Sequence, residues 1–315
     1  MDAFIGELSY YLGDRSFSVD ESAEAGRLIS SAQALKDSGF DRHCICTDNQ
    51  SAYDLARECV SHFQPELQKA GAIVYSTCLP LNSNCGDEQK FRESRDVKYL
   101  MDFPASHLQS EFGMDRAFVL GITQQACTGM LGTFRMAKML LADDSEIESV
   151  LCISADRFPN HALYEQSYNL ISDGAAATVV SRHEGKFRIV ACHAITNGGL
   201  AQASDEEAAA TYFVYSNRVI KETLAKAKLS LEEIDWIVPQ NMNIKAWQIL
   251  SRLLKFSEEK TFAGSRTEVG HVISADNIIN LDLLSKGGGI KSGQYIMLVM
   301  AGYGMNWQCV ILEVC

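Results

Sequence analysis

Residues 120–142 read LGITQQACTGMLGTFRMAKMLLA. An apolar run gives way to a short polar turn, then to Cys127, then to a helical stretch that is apolar nearly all round. A helix of that kind belongs inside a protein. Gly129 and Gly132, early in it, cost about 1 kcal/mol each relative to alanine. That cost is tolerable where another group approaches the helix closely. Cys127 stands at the helix start, where the dipole and the free amides stabilise a thiolate and lower its pKa. The same amides can donate to an oxyanion. On this stretch alone, a cysteine packed at the start of a core helix reads equally well.

Working outward, apolar runs at 70–79, 116–122, 148–155, 175–182, 187–195, 234–240, 295–304 and 307–314 predict strands, with helical periodicity between them. Alternation of this kind predicts an α/β fold with mainly parallel sheets covered by helices. Each half closes on a strand-rich run, which points to two diverged α/β halves joined near 182–187. Residues 1–184 form the N-terminal half with the nucleophile, and residues 185–315 form the C-terminal half. Residues 198–210 read as a loop that could border an active site. The stretch GGGIKSG at 287–293 lacks phosphate-loop spacing and reads as a turn.

Composition narrows the function classes. A net charge of −12 argues against nucleic-acid binding, which needs a basic surface. No run approaches the roughly 18 apolar residues of a membrane span, and the first residues lack the pattern of a secretory signal. A soluble, cytoplasmic protein is expected. Its ten cysteines then read as reduced thiols. HCIC at 43–46 lacks the spacing of a metal knuckle, so no metal site is expected.

A second informative stretch is GHVISADN at 270–277. His271 and Asp276 could be the base and orienter of a nucleophile, or a structural hydrogen bond. Five residues along a helix turn by about 140°, so the two cannot share one helix face. They can meet only if His271 precedes the helix and the chain folds back, a turn that Gly270 permits. His193 lies on a strand approaching the interface of the halves, as a pocket residue or a satisfied core histidine. Lys245, Arg252 and Lys255 place basic groups on one helix. They would suit an anionic carrier, or form an ordinary solvated face.

The segment TQQACTGMLGTFRMA resembles the nucleophile segment of thiolase-fold condensing enzymes, in particular ketoacyl-acyl-carrier-protein synthase III. FPASHLQSEFGM, ISDGAAATVV, IDWIVPQNMNIKAWQIL, EVGHVISADNIINL and VMAGYGMNW resemble further landmarks of that family, in the family's order. The resemblance implies a thiolase-like fold, two related halves in αβαβα layers, and a homodimer. Condensing members carry a Cys–His–Asn set. Here Gln240 falls where their histidine stands, and His271 where their asparagine stands. The set Cys127, His271 and Asp276 is instead similar to that of a subgroup of acyltransferases in bacterial specialised metabolism. The resemblance also places Gln240 and Asn243 in the substrate pocket. It places an oxyanion amide at Tyr303, beside that of Cys127.

The expected activity is therefore acyl transfer. An acyl group passes from CoA, or from the phosphopantetheine of an acyl carrier protein, to Cys127 and on to a small-molecule or carrier-bound hydroxyl, amine or thiol. Decarboxylation of a malonyl unit benefits from two donors, usually His and Asn, at the thioester oxygen. Transfer to a hydroxyl needs a base oriented by a carboxylate. No permanently bound cofactor is expected. A carbon–carbon bond-forming condensing enzyme is the first alternative, and a non-catalytic partner subunit the second.

Overall fold

The structure, a computed structural model, describes residues 2–64, 66–79, 88–167 and 169–315. Of the ten cysteines, Cys85 lies outside the described residues. Nine strands form the main sheet: β1 (Phe4–Leu12), β2 (Ala72–Ser76), β3 (Phe118–Ile122), β4 (Ser149–Asp156), β5 (Gly174–Ser181), β6 (Phe187–Thr196), β7 (Ile234–Pro239), β8 (Tyr295–Gly302) and β9 (Asn306–Val314). Their order is β7-β8-β9-β6-β1-β5-β4-β2-β3.

That order contains one pattern twice. From β3 to β1 the strands run third, second, fourth, fifth, first. From β7 to β6 the same sequence appears, with the third strand reduced to a single parallel bridge between Ile237 and Thr261. The two sets meet at β1 and β6 through only two registered pairs, Phe4 with Arg188 and Ile5 with Phe187.

The sheet is not mainly parallel, contrary to the expectation from alternation. β2 pairs in parallel with β3 and β4, and β7 with β8. The closing strand of each set, β5 or β9, runs the other way and inserts between parallel neighbours. Each insertion converts two pairings to antiparallel.

Helices layer the sheet. α1 (Ala52–Ser61) and α2 (Pro104–Glu111) pack on β1–β5, and α4 (Asp205–Ala227) packs on β6 and β9, with α5 (Ile244–Leu254) beside it. α3 (Gly129–Asp143) and α6 (Asp276–Lys286) lie between, each touching strands of both sets. Residues 129–134 of α3, largely apolar, are all buried, whereas Arg135 and Met139 farther along are exposed. The expected loop at 198–210 is half helix. Ser204 caps α4, its hydroxyl accepting from the Glu207 amide while the Glu207 carboxylate accepts from the Ser204 amide. That reciprocal cap starts the helix seven residues before its apolar periodicity becomes clear.

Candidate active site

The start of α3 and the start of α6 face each other at the centre of the layers. Cys127 sits in a single 3-10 turn, Ala126–Thr128, that leads into α3, and is buried. Ala126 before it adopts a left-handed backbone, φ 43°. A non-glycine residue holds that conformation only where its surroundings fix it. The Ser274 hydroxyl does so by donating to the Ala126 carbonyl at 3.0 Å. Gly129 is required by close approach. A Cβ there would lie 1.9 Å from Ser76 Oγ and 3.2 Å from Ser274 Oγ. At Gly132 the nearest group, Gln308 Nε2, stands 3.4 Å away and would give way more readily.

His271 lies before α6, outside its helical turns. Gly270 takes φ 64°, and a Cβ on it would meet the Leu170 carbonyl at 2.7 Å. The His271 amide donates to the Leu170 carbonyl at 2.7 Å, and its carbonyl accepts from the Ser172 amide at 2.9 Å. The chain then folds back through Ile273, φ 47°, into α6. This brings the His271 ring onto Asp276, with Nδ1 2.5 Å from Oδ2. Asp276 also accepts from the amides of Val272 and Asn241, each at 2.7 Å. With Nδ1 donating to that carboxylate, Nε2 is the accepting nitrogen. It lies 3.4 Å from Cys127 Sγ.

Asn241 was not singled out from the sequence, because a lone asparagine after a strand carries no pattern. It is fully buried. Its Nδ2 donates to Ser265 Oγ at 2.7 Å and to the Gly270 carbonyl at 2.8 Å, and its Oδ1 accepts from Asn280 Nδ2 at 2.8 Å. A saturated network of this kind fixes both ends of the His271–Asp276 turn.

The turn after β8 closes the other side of Cys127. A Cβ on Gly302 would lie 2.8 Å from the Cys127 amide nitrogen and 3.0 Å from the Gln125 carbonyl. Gly302, Tyr303, Cys127, His271 and Gln240 line one cavity of about 290 Å3. The Tyr303 hydroxyl, away from the backbone, is hydrogen-bonded to Ser167 Oγ at 2.7 Å.

The expected lowering of the Cys127 pKa is not what its surroundings produce. Its thiol is pushed well above the ordinary range, first by a hydrogen bond with the Cys78 thiol, then by burial, with the Asp276 and Asp156 carboxylates adding to it. Neighbouring groups of one kind resist a second ionisation, and burial disfavours any charge. A helix start does not outweigh both. At rest Cys127 therefore holds its proton. Asp156, also absent from the sequence reading, is fully buried near this site. Burial raises its pKa to about 7, although Oδ1 accepts from Thr77 Oγ1 at 2.8 Å and from the Cys78 amide at 2.7 Å.

The remaining candidates separate. Gln240 lines the cavity with Oε1 held by the Ala301 amide at 2.5 Å, which leaves its amino group as the donor on offer. Asn243 also lines it, but its side chain is engaged as the cap of α5. Oδ1 accepts from the Lys245 amide at 3.0 Å and Nδ2 donates to Ser38 Oγ at 2.9 Å. His193 is not brought to the site. It faces α4, with Nε2 2.6 Å from Glu222 Oε2 and Nδ1 2.7 Å from Lys226 Nζ. It was placed near the pocket because β6 reaches the interface of the halves, but its side chain points to the outer helix. Lys245 is at the cavity mouth. Arg252 lies two turns on along the same exposed face of α5, with Ile249 and Leu253 beside it, and Lys255 forms the left-handed cap beyond the helix. Among the described residues no group of three His, Cys, Asp or Glu side chains is placed to hold a metal. Among them, too, no helix is long and apolar enough to cross a membrane.

Residues 123–198 match the family described as 3-oxoacyl-[acyl-carrier-protein (ACP)] synthase III, and residues 224–314 match its C-terminal part. β-Ketoacyl-[acyl-carrier-protein] synthase III of Wolbachia pipientis wMel is 26% identical over 228 residues, which is 66% of this chain and 71% of that protein. The enzyme of the same name from Chlamydia caviae is 28% identical over 217 residues, 60% of this chain and 64% of that protein. Among solved structures, an acyltransferase titled ChlB3 superposes with a TM-score of 0.83 at 18% identity, over 100% of this chain and 98% of that one. 3-Oxoacyl-[acyl-carrier-protein] synthase III from Aquifex aeolicus VF5 gives 0.80 at 19%, over 99% of both chains. At these identities the superpositions establish the thiolase-like α/β fold, and the two matched segments together span just over half the sequence. The chain belongs to the 3-oxoacyl-[acyl-carrier-protein] synthase III-like family of thiolase-fold transferases.

Proposed function

We propose that the protein transfers a ready-made acyl group from a thioester to an acceptor hydroxyl, amine or thiol. The observation that carries this reading is the continuous line from Cys127 Sγ to His271 Nε2, and from His271 Nδ1 to Asp276, at 3.4 and 2.5 Å. As Cys127 attacks the thioester carbonyl of acyl-CoA or an acyl carrier protein, His271 takes the thiol proton. The amides of Cys127 and Tyr303 receive the negative oxygen. The carrier thiol leaves with the proton from His271. An acceptor then enters, His271 removes its proton, the conjugate base displaces Cys127 from the acyl carbon, and the departing thiolate takes the proton back from His271. Asp276 holds the imidazole in its tautomer and balances the transient charge.

The names of the curated relatives favour a second reading, carbon–carbon condensation. Against it stands Gln240, whose carboxamide can donate a hydrogen bond but cannot carry a proton. Intact-protein mass spectrometry with acyl thioesters, then a chase with acceptors, tests the first reading. CO2 release on each turnover from a malonyl thioester would support the second. The exposed Lys245 and Arg252, flanked by Ile249 and Leu253, supply the surface for an anionic carrier. The repeated strand order supports residues 1–184 and 185–315 as the two related halves.

A further inference from the structure

A second cavity, of about 620 Å3, shares no lining residue with the catalytic one. Arg15, Arg27 and Arg157 line it, and Asp48 is the one acid among its lining residues. In a chain of net charge −12 this is a local inversion of sign.

Each guanidinium retains donors that its protein partners do not use. The Arg27 guanidinium stacks on the Phe17 ring, 4.4 Å from its centroid. Its Nη1 is buried with no hydrogen-bond partner among the described residues. A buried donor left unpaired is costly, and a bound anion is one of the ordinary ways to satisfy it. Arg157 gives Nη2 to Asn160 Oδ1 at 2.9 Å. Arg15 reaches Asp48 and the Cys46 carbonyl only at 3.4 Å, and the Asp48 side chain is 85% exposed. Water screens such a pair to little net energy, so Arg15 is free to turn towards an incoming anion. At the rim His161 holds φ 70°, a strained conformation of the kind that gathers at binding sites.

The walls fix the ligand class. Three guanidinium forks match the oxygens of a phosphate, which accept paired N–H donors. Ile45, Pro159 and Tyr164 add an apolar wall. The volume lies within the range of small-molecule sites. We propose that this cavity binds a phosphate-bearing small organic molecule, with its phosphate on Arg27 and Arg157 and its organic body against Ile45 and Tyr164. The proposal is independent of the acyl-transfer reading.

Isothermal titration of the full chain with AMP and with inorganic pyrophosphate, at low ionic strength, tests it. Both probes are expected to bind at one site. Arg27→Ala and Arg157→Ala should each weaken binding about tenfold or more, the effect of losing charge-assisted hydrogen bonds. Lys245→Ala should leave it unchanged. Arg157→Ala, outside the core, keeps the test intact if a thermal melt shows Arg27→Ala unfolded. Acyl-enzyme formation by Arg157→Ala should match the parent. Absence of binding by both probes at millimolar concentration, or equal affinity in folded arginine variants, would each overturn the proposal.

Discussion

Gly302 and Cys127 are so close that no side chain fits between them. A Cβ on Gly302 would stand 2.8 Å from the Cys127 amide nitrogen. In the proposed reaction that amide receives the acyl oxygen, so the position should control how the two meet. Gly302→Ala should slow acylation of Cys127 by about 100-fold, the scale for losing one oxyanion donor. Stopped-time intact mass measures the rate, with a thermal melt to confirm folding. Near-parent acylation in a folded variant would show that the turn after β8 plays no part in the oxyanion site.

The neighbouring thiol of Cys78 opposes ionisation of Cys127. The hydrogen bond with Cys78 is the largest influence raising the Cys127 pKa. Removing it in Cys78→Ala should move the pH midpoint for alkylation of Cys127 by iodoacetamide downward, so that the variant reacts faster near neutral pH. An unchanged midpoint would mean that Cys78 does not act on Cys127, and a higher one that it stabilises the thiolate instead of opposing it.

How much of this was legible in the sequence differs between elements. The start of α3 was legible because its first turns are largely apolar and have one place to go, but the second half, with Arg135 and Met139 exposed, is not apolar all round. The His271–Asp276 pair was legible because Gly270 and the five-residue spacing left one geometry. β1 was not: FIGELSYYL shows no clean alternation. It lies between β5 and β6, with a register irregularity between Ile5 and Leu8, and that tertiary setting overrides local pattern. Asn241, Cys78 and Asp156 were not legible either, since each gains its role from partners 35 to 78 positions away. The start of α4 was readable, in Ser204 and Glu207, but the alanines that follow disguised it as a loop.

Asp156 predicts a pH dependence of stability. Its folded pKa, raised to about 7 by burial, lies above the ordinary carboxylate value. The folded state therefore holds the proton more tightly than the unfolded chain does. The stabilisation is complete below about pH 4 and is lost as pH rises to about 7. The loss is on the order of 4 kcal/mol at most. Asp156→Asn removes this contribution. Urea melts across pH 4–8 should show the parent losing stability relative to the variant over that window. A constant difference between them would contradict the assignment.

The sheet edge predicts an assembly. β3 ends the nine-strand order, and Phe118 and Val119 on it are 44% and 37% exposed. An apolar edge strand invites pairing with a second copy about a two-fold axis. Light scattering should give twice the 34.8 kDa chain mass. A stable monomer at micromolar concentration would rule the dimer out.

The central claim is that His271, oriented by Asp276, drives transfer to the acceptor. The most direct test is a single-turnover chase of a preformed acyl-enzyme, with a thermal melt of each variant beside it. His271→Ala should still acquire some acyl group on Cys127, because the oxyanion amides remain, and should then deacylate about 100-fold more slowly with acceptor. Asp276→Asn should fold yet also slow the chase, with the imidazole held in the wrong tautomer. Parent-like chase rates in both folded variants would contradict the account and leave the pair a structural hydrogen bond.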